Sequence, residues 1–248
     1  SNFKHIAQQR LIIEELAAHQ LSLLRIKARR KTQESSIFSI HDNLPSQLMK
    51  SLDFKLTSAQ LRCIGEINQD MSSSQPMLRL LQGDVGSGKT IVAVFTLLQA
   101  AGNNFQTAIM APTEILAQQH LQSFTSYLGH LGIKVAFLSG SLNTEERRIQ
   151  INFIASGEAQ VVIGTHALFQ ESVSFNNLGL VIIDEQHKFG VHQRLSLTQK
   201  AKKIPHQLVM TATPIPRSLT MSVYADLDTS IIDELPPGRQ KIETIALS

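Results

Sequence analysis

Gly83-Asp84-Val85-Gly86-Ser87-Gly88-Lys89-Thr90 sets glycines, a lysine and a hydroxyl at the spacing G-x-x-x-x-G-K-[ST]. Such a loop turns its backbone N–H groups inward, and the dipole of a following helix adds to their attraction for phosphate oxygens. Lys89 supplies a mobile point charge for the terminal phosphates of a nucleoside triphosphate. The Thr90 hydroxyl suits a magnesium ion bridging them, a metal that takes oxygen ligands and keeps several waters. The second chemical element is Asp184-Glu185-Gln186-His187. Asp184 is expected to hold the magnesium through water, and Glu185 to orient or deprotonate the water attacking in line with the leaving phosphate. An isolated acidic pair after a strand could equally cap a helix; beside an intact phosphate loop the catalytic reading is favoured.

Both groups need rigid elements behind them. Leu78-Arg79-Leu80-Leu81-Gln82 reads as a buried strand leading into the glycine loop, and residues 90–101 read as an apolar helix leaving it. Leu180-Val181-Ile182-Ile183 is a continuous apolar run delivering Asp184 to the carboxyl end of a strand, where open α/β sheets place their chemistry. Further strands are expected at 107–111, 134–139, 161–164 and 207–211. Helices are expected at 56–67, 113–128, 144–156 and 193–201. This alternation predicts an α/β fold with a mostly parallel sheet flanked by helices. Ahead of it, residues 3–31 read as a helix whose Ile12, Ile13, Leu16, Leu23 and Leu24 form an apolar face. Arg25, Lys27, Arg29, Arg30 and Lys31 crowd its end, read first as a solvated face aided by the helix dipole and second as a DNA contact. Residues 32–53 read as a linker with a short helix near 46–51.

The D-E-x-H form of the acidic motif resembles that of the superfamily 2 helicases and translocases, and other segments follow that family's order. Phe54-Lys55-Leu56-Thr57-Ser58-Ala59-Gln60 resembles the adenine-reading Q-type motif, which implies nucleotide contacts from Phe54, Thr57 and Gln60. Ala111-Pro112-Thr113-Glu114 resembles motif Ia, Gly164-Thr165-His166 a nucleic-acid-contacting segment, and Thr211-Ala212-Thr213-Pro214 motif III. More narrowly, GDVGSGKT, DEQHKFGVHQR and MTATPIPRSL together resemble the RecG family of bacterial ATP-dependent helicases, which remodel branched DNA, from about residue 8 onward. Lys188 stands where many relatives are expected to carry arginine, keeping the charge and losing the planar fork.

The resemblance implies a RecA-like phosphate-loop domain using ATP and magnesium. It also implies DNA backbone running over Pro112, Thr113, Ser139, Gly140, Ser141, Thr165 and His166, contacts that read phosphate and structure rather than base sequence. Thr113 and Ser141 read equally well as helix caps. Thr211, Thr213, His187, Gln193 and Arg194 are implied as couplers between hydrolysis and movement; for the Phe189-Gly190 loop a structural plug is an equal alternative. A protein of that family is much longer than 248 residues. The expectation is therefore a fragment: helical segment and linker over 1–53, motor domain 1 over 54–234, and an exit over 235–248 toward an absent second motor lobe. That lobe would bring an arginine finger, and an absent wedge domain would split the junction.

Composition excludes more than it selects. A net charge of +3 permits a nucleic-acid partner without arguing for one, and the absence of Trp leaves no evident base-stacking platform. The one cysteine, Cys63, excludes an internal disulfide and reads as a packed side chain. No apolar run reaches membrane-spanning length, so the cytosol is the expected compartment. Rival readings remain a transcription-repair coupling translocase, a phosphate-loop kinase, which would need an arginine-bearing lid that is not evident, and a nucleotide-binding module without turnover.

Overall fold

The computed structural model describes residues 6–31, 33–184, 200–213 and 227–236. Apolar runs form six of the strands: β1 (Leu78–Gly83), β2 (Gln106–Met110), β3 (Val135–Leu138), β4 (Val161–Gly164), β5 (Leu178–Asp184) and β6 (His206–Thr211). A seventh, β7 (Asp228–Ile232), was not expected from the sequence. They pair in the order β3-β4-β2-β5-β6-β1-β7, and each described pairing is parallel. Parallel strands buried on both faces need no polar alternation, which is why their sequences read as continuous apolar runs.

Helix α3 (Ser58–Met71) precedes β1, and between the strands run α4 (Lys89–Gly102), α5 (Glu114–Leu128) and α6 (Thr144–Ala155). Two of them start in reciprocal capping boxes, Thr57 with Gln60 and Asn143 with Glu146. Each such box satisfies two otherwise orphaned backbone N–H groups. Neighbouring strand residues point to opposite faces. Leu81, Ile109, Ile182 and Leu208 thus pack against α3, α4 and α5, whereas Leu80, Ala108, Val181 and Val209 form the other core with Ile154 of α6. Of the expected helix at 193–201, residues 193–199 lie outside the described residues, and Lys200 and Ala201 are in a turn and a bend.

Ahead of the sheet, α1 (Ile6–Lys31) is helical as expected, and its Ile12, Ile13 and Leu16 are exposed. The segment expected as a linker is largely fixed to the domain. It contains α2 (Asn43–Ser51), buries Ser35, Phe38 and Leu48, and bonds its backbone to Ser74 and Met71 through Ser35 and Phe38. The Gln99 amide of α4 meets both backbone groups of His41 at 2.9 and 3.0 Å. Among the described residues no helix is long and apolar enough to cross a membrane.

At the far edge, β7 is pinned by charge as well as by its ladder with β1. Arg79 of β1 reaches Asp70 at 2.8 Å and Glu66 at 3.2 Å on α3, and the Ser230 hydroxyl of β7 at 2.9 Å. Just beyond, the Glu234 carboxylate accepts the Ala59 N–H at 3.1 Å, and Asp233 pairs with Arg62 at 2.9 Å. The chain's exit therefore clamps the first turn of α3, the helix that abuts the phosphate loop.

Candidate functional site

The glycine loop leaves the end of β1 and turns at Gly86 and Gly88, whose φ angles of 78° and 86° lie in the left-handed region. At Gly88 a side chain is excluded twice over, by its φ and because a Cβ would meet Gln60 Nε2 at 2.2 Å. Gln60, nearly fully buried, holds the loop from α3. Its Oε1 accepts the Thr57 N–H at 2.9 Å and its Nε2 donates to Ser87 O at 2.9 Å. Gln60 was expected to read adenine; here both ends of its amide are committed to Thr57 and the phosphate loop. The signal was in the sequence, since Thr57-x-x-Gln60 is also a capping-box signature.

Lys89 opens α4 and folds back onto its own loop, donating to Gly83 O at 2.7 Å and Asp84 O at 3.0 Å. An incoming phosphate offers the ammonium a charged acceptor in place of neutral carbonyls, a stronger bond. Asp84 and Val85 are exposed, and Ser87 is buried with its Oγ lacking a hydrogen-bond partner in the structure. A buried hydroxyl without a partner, lying in the glycine loop, fits a site whose ligand supplies acceptors. Beside it, a cavity of about 190 Å³ is lined by Gly83, Asp84, Ala212, Ile232 and Glu234. Phe54 is half exposed and borders a second, larger hollow with Met49, Leu52, Leu56 and Leu61, an apolar surface on which a planar base could rest.

Asp184 ends β5, and β6 alone separates β5 from β1. The strand carrying the carboxylate and the strand carrying the phosphate loop are thus about 10 Å apart along one sheet edge. Asp184 is largely buried, and its Oδ2 lies 2.7 Å from Nε2 of His120 on α5. Thr90, at the start of α4, and Asp184 offer a hydroxyl and a carboxylate, a hard oxygen donor set that fits magnesium. Between the two strands, Thr211 ends β6 with its hydroxyl 2.7 Å from that of Thr213, whose N–H it also accepts at 3.2 Å. His120 was not among the expected site residues. It belongs to no motif, and its contact lies 64 positions along the chain.

The loops expected to meet DNA divide by exposure. Thr113 caps α5 by accepting the Leu116 N–H at 3.3 Å and remains exposed; Pro112 is partly exposed, and Gly140, Ser141 and His166 are exposed. Ser139 and Thr165 are buried, at 0% and 4% exposure, so their side chains lie beneath the loops expected to meet DNA. The Ser139 hydroxyl instead bonds Glu114 at 3.0 Å and Ser141 at 2.9 Å, and Ser141 bonds the same carboxylate. Glu114 thus gathers the 139–141 loop onto the first turn of α5. Glu185, His187, Gln193 and Arg194 lie outside the described residues, as does Pro214.

Comparison with known proteins places this arrangement. Residues 57–222 match the DEAD/DEAH box helicase family model. The chain is 53% identical over 247 residues to the ATP-dependent DNA helicase RecG of Escherichia coli K12, covering 98% of this chain and 36% of that protein. To RecG of Aquifex aeolicus it is 49% identical, covering 98% and 31%. It is also similar to a solved RecG bound to a three-way DNA junction, with a TM-score of 0.84, 44% identity, and coverage of 98% and 33%. A lower likeness to Mss116p bound to single-stranded RNA and AMP-PNP, with a TM-score of 0.58 and 18% identity over 77% of this chain and 42% of that one, shows the fold alone. The chain spans about a third of the length of the curated RecG relatives. With the match covering residues 57–222 of its 248, the chain belongs to the DEAD/DEAH box helicases.

Proposed function

We propose that this chain is the first motor domain of an ATP-dependent DNA helicase that remodels branched DNA, such as stalled forks and junctions in repair and recombination. The observation that carries the reading is the meeting of the phosphate loop and Asp184 on one sheet edge, with the 112–113 and 139–141 loops joined to the same sheet through α5. The likeness to a RecG solved on a three-way junction supports branched DNA as the substrate class.

In this reading Gly83, Gly86, Ser87 and Gly88 cradle the phosphates, Lys89 turns from its loop carbonyls to the terminal phosphates, and Phe54 supports the base. Bound magnesium, held by Thr90 and Asp184, would neutralise charge developing on the bridging and terminal phosphate oxygens. Glu185 takes a proton from the attacking water or orients it. Thr211, Thr213, His187, Gln193 and Arg194 relay nucleotide state to the DNA side. Pro112, Thr113, Gly140, Ser141 and His166 meet the sugar-phosphate backbone, while Ser139 and Thr165 shape those loops from beneath. A second motor lobe completing the ATP site with an arginine, and a wedge domain at the junction, are the partners this mechanism requires.

Steady-state ATP hydrolysis, measured with and without forked DNA at saturating magnesium, tests the reading. Negligible turnover by the chain alone, with ATP still bound, is expected of a motor half. In the whole protein, Glu185→Gln should retain binding and slow turnover by on the order of 10²- to 10⁴-fold. Unchanged turnover would remove Glu185 from its role, and failure of the chain to bind ATP would overturn the proposal.

A further inference from the structure

We infer that His120 is a positioning residue that fixes the Asp184 carboxylate for the metal, an inference that rests on the reading of Asp184 as a magnesium ligand. Three observations carry it. Asp184 Oδ2 and His120 Nε2 are 2.7 Å apart, with the side chains only 13% and 11% exposed. With the imidazole N–H donating to Oδ2, Oδ1 would be the oxygen offered to a cation. The imidazole is itself braced: its ring sits edge-on to Phe124 at a centroid distance of 5.9 Å, and Phe124 is fully buried.

The helix supplies the remaining geometry. Ala117, His120, Phe124 and Leu128 follow the i, i+3, i+7, i+11 spacing that puts them on one stripe, and Ala117, Phe124 and Leu128 are fully buried. The imidazole is thus carried on the sheet-facing side of α5, where its orientation is set by core packing rather than by solvent. Carboxylates that hold metals are themselves commonly fixed by hydrogen bonds, and losing such a partner typically weakens metal affinity tenfold or more.

The test measures ATP affinity of the chain by calorimetry, in EDTA and in saturating magnesium, for wild type and for His120→Ala, His120→Asn, His120→Gln and Asp184→Ala. Thermal melts are run first. The ratio of the two affinities reports the metal's contribution without requiring turnover. His120→Ala is expected to leave the EDTA affinity unchanged and to lower the ratio about tenfold, toward that of Asp184→Ala. His120→Gln, whose amide nitrogen can take the place of Nε2, is expected to recover most of it. His120→Asn, polar but one methylene short, is not. Should the Ala variant fail to fold, the Gln and Asn pair decides alone. Equal ratios in wild type and the His120 variants would overturn the inference, as would a loss of affinity that is the same with and without metal. If wild type itself showed no metal enhancement, or if Asp184→Ala kept it in full, the reading of Asp184 would fall and this inference with it.

Discussion

Lys89 carries the only full positive charge in the glycine loop, and its hold on Gly83 O and Asp84 O shows how that charge waits. A charged hydrogen bond is worth about 1.5–3 kcal/mol, so Lys89→Ala should weaken triphosphate binding by roughly ten- to a hundredfold in a direct titration. Gln60→Glu separates the two tasks of the Gln60 amide. A carboxylate can still accept the Thr57 N–H, but it has nothing to donate to Ser87 O. It should therefore keep the start of α3 and loosen the phosphate loop, lowering triphosphate affinity while retaining most of the helix content measured by circular dichroism. Cys63 is the contrasting case. Burial raises its thiol to about 11, so the thiolate is scarce at neutral pH and iodoacetamide should label it only after denaturant unfolds the chain. The phosphate loop was legible because its chemistry demands particular residues at particular spacings. The burial of Ser139 and Thr165 was not, since a hydroxyl in a loop reads the same whether it faces water or a carboxylate beneath it.

Elements were legible where burial made them uniform. Six strands and their helices could be read from apolar runs and caps, with ends within a few residues. The missed strand is β7, Asp228-Thr229-Ser230-Ile231-Ile232, which lies at the sheet's edge and opens with three polar residues rather than an apolar run. What holds it is tertiary, the Arg79 bond to Ser230, which no local pattern announces. His120 escaped for a similar reason: its partner is defined by the packing of α5 on the sheet. A tight backbone junction between strands is Gly164 at the end of β4, where a Cβ would lie 2.2 Å from Leu138 O of β3. A backbone oxygen cannot rotate aside, so Gly164→Ala should force the two strands apart at the loops that carry Ser139–Ser141 and His166. The expected cost is about 1–3 kcal/mol, read as a fall in melting temperature of roughly 2–4 °C for each kcal/mol.

Across the whole molecule, His206 joins the leading segment to the sheet. It is fully buried; its Nδ1 accepts the Met77 N–H at 3.0 Å and its Nε2–H donates to Ser36 O at 2.8 Å, an arrangement that requires the neutral ring. Burial holds its pKa below the ordinary value. The unfolded chain therefore takes up this proton first, so His206 contributes stability above the unfolded value of about 6.5 that is lost as pH falls toward the folded value. Denaturant unfolding at pH 7.5 and 5.5 should show that decline, and His206→Gln should flatten it. The strand order has a consequence in time. β1, which bears the phosphate loop, has its two neighbours in β6 and β7, so its partners begin at residues 206 and 228. During synthesis the ribosome must add more than a hundred residues after β1 before either partner exists. Until then β1, next to last in the future sheet, has no strand to pair with. A nascent chain stalled near residue 184 should carry the complete nucleotide-loop sequence and yet fail to retain ATP, acquiring the ability only once the last quarter of the domain has emerged.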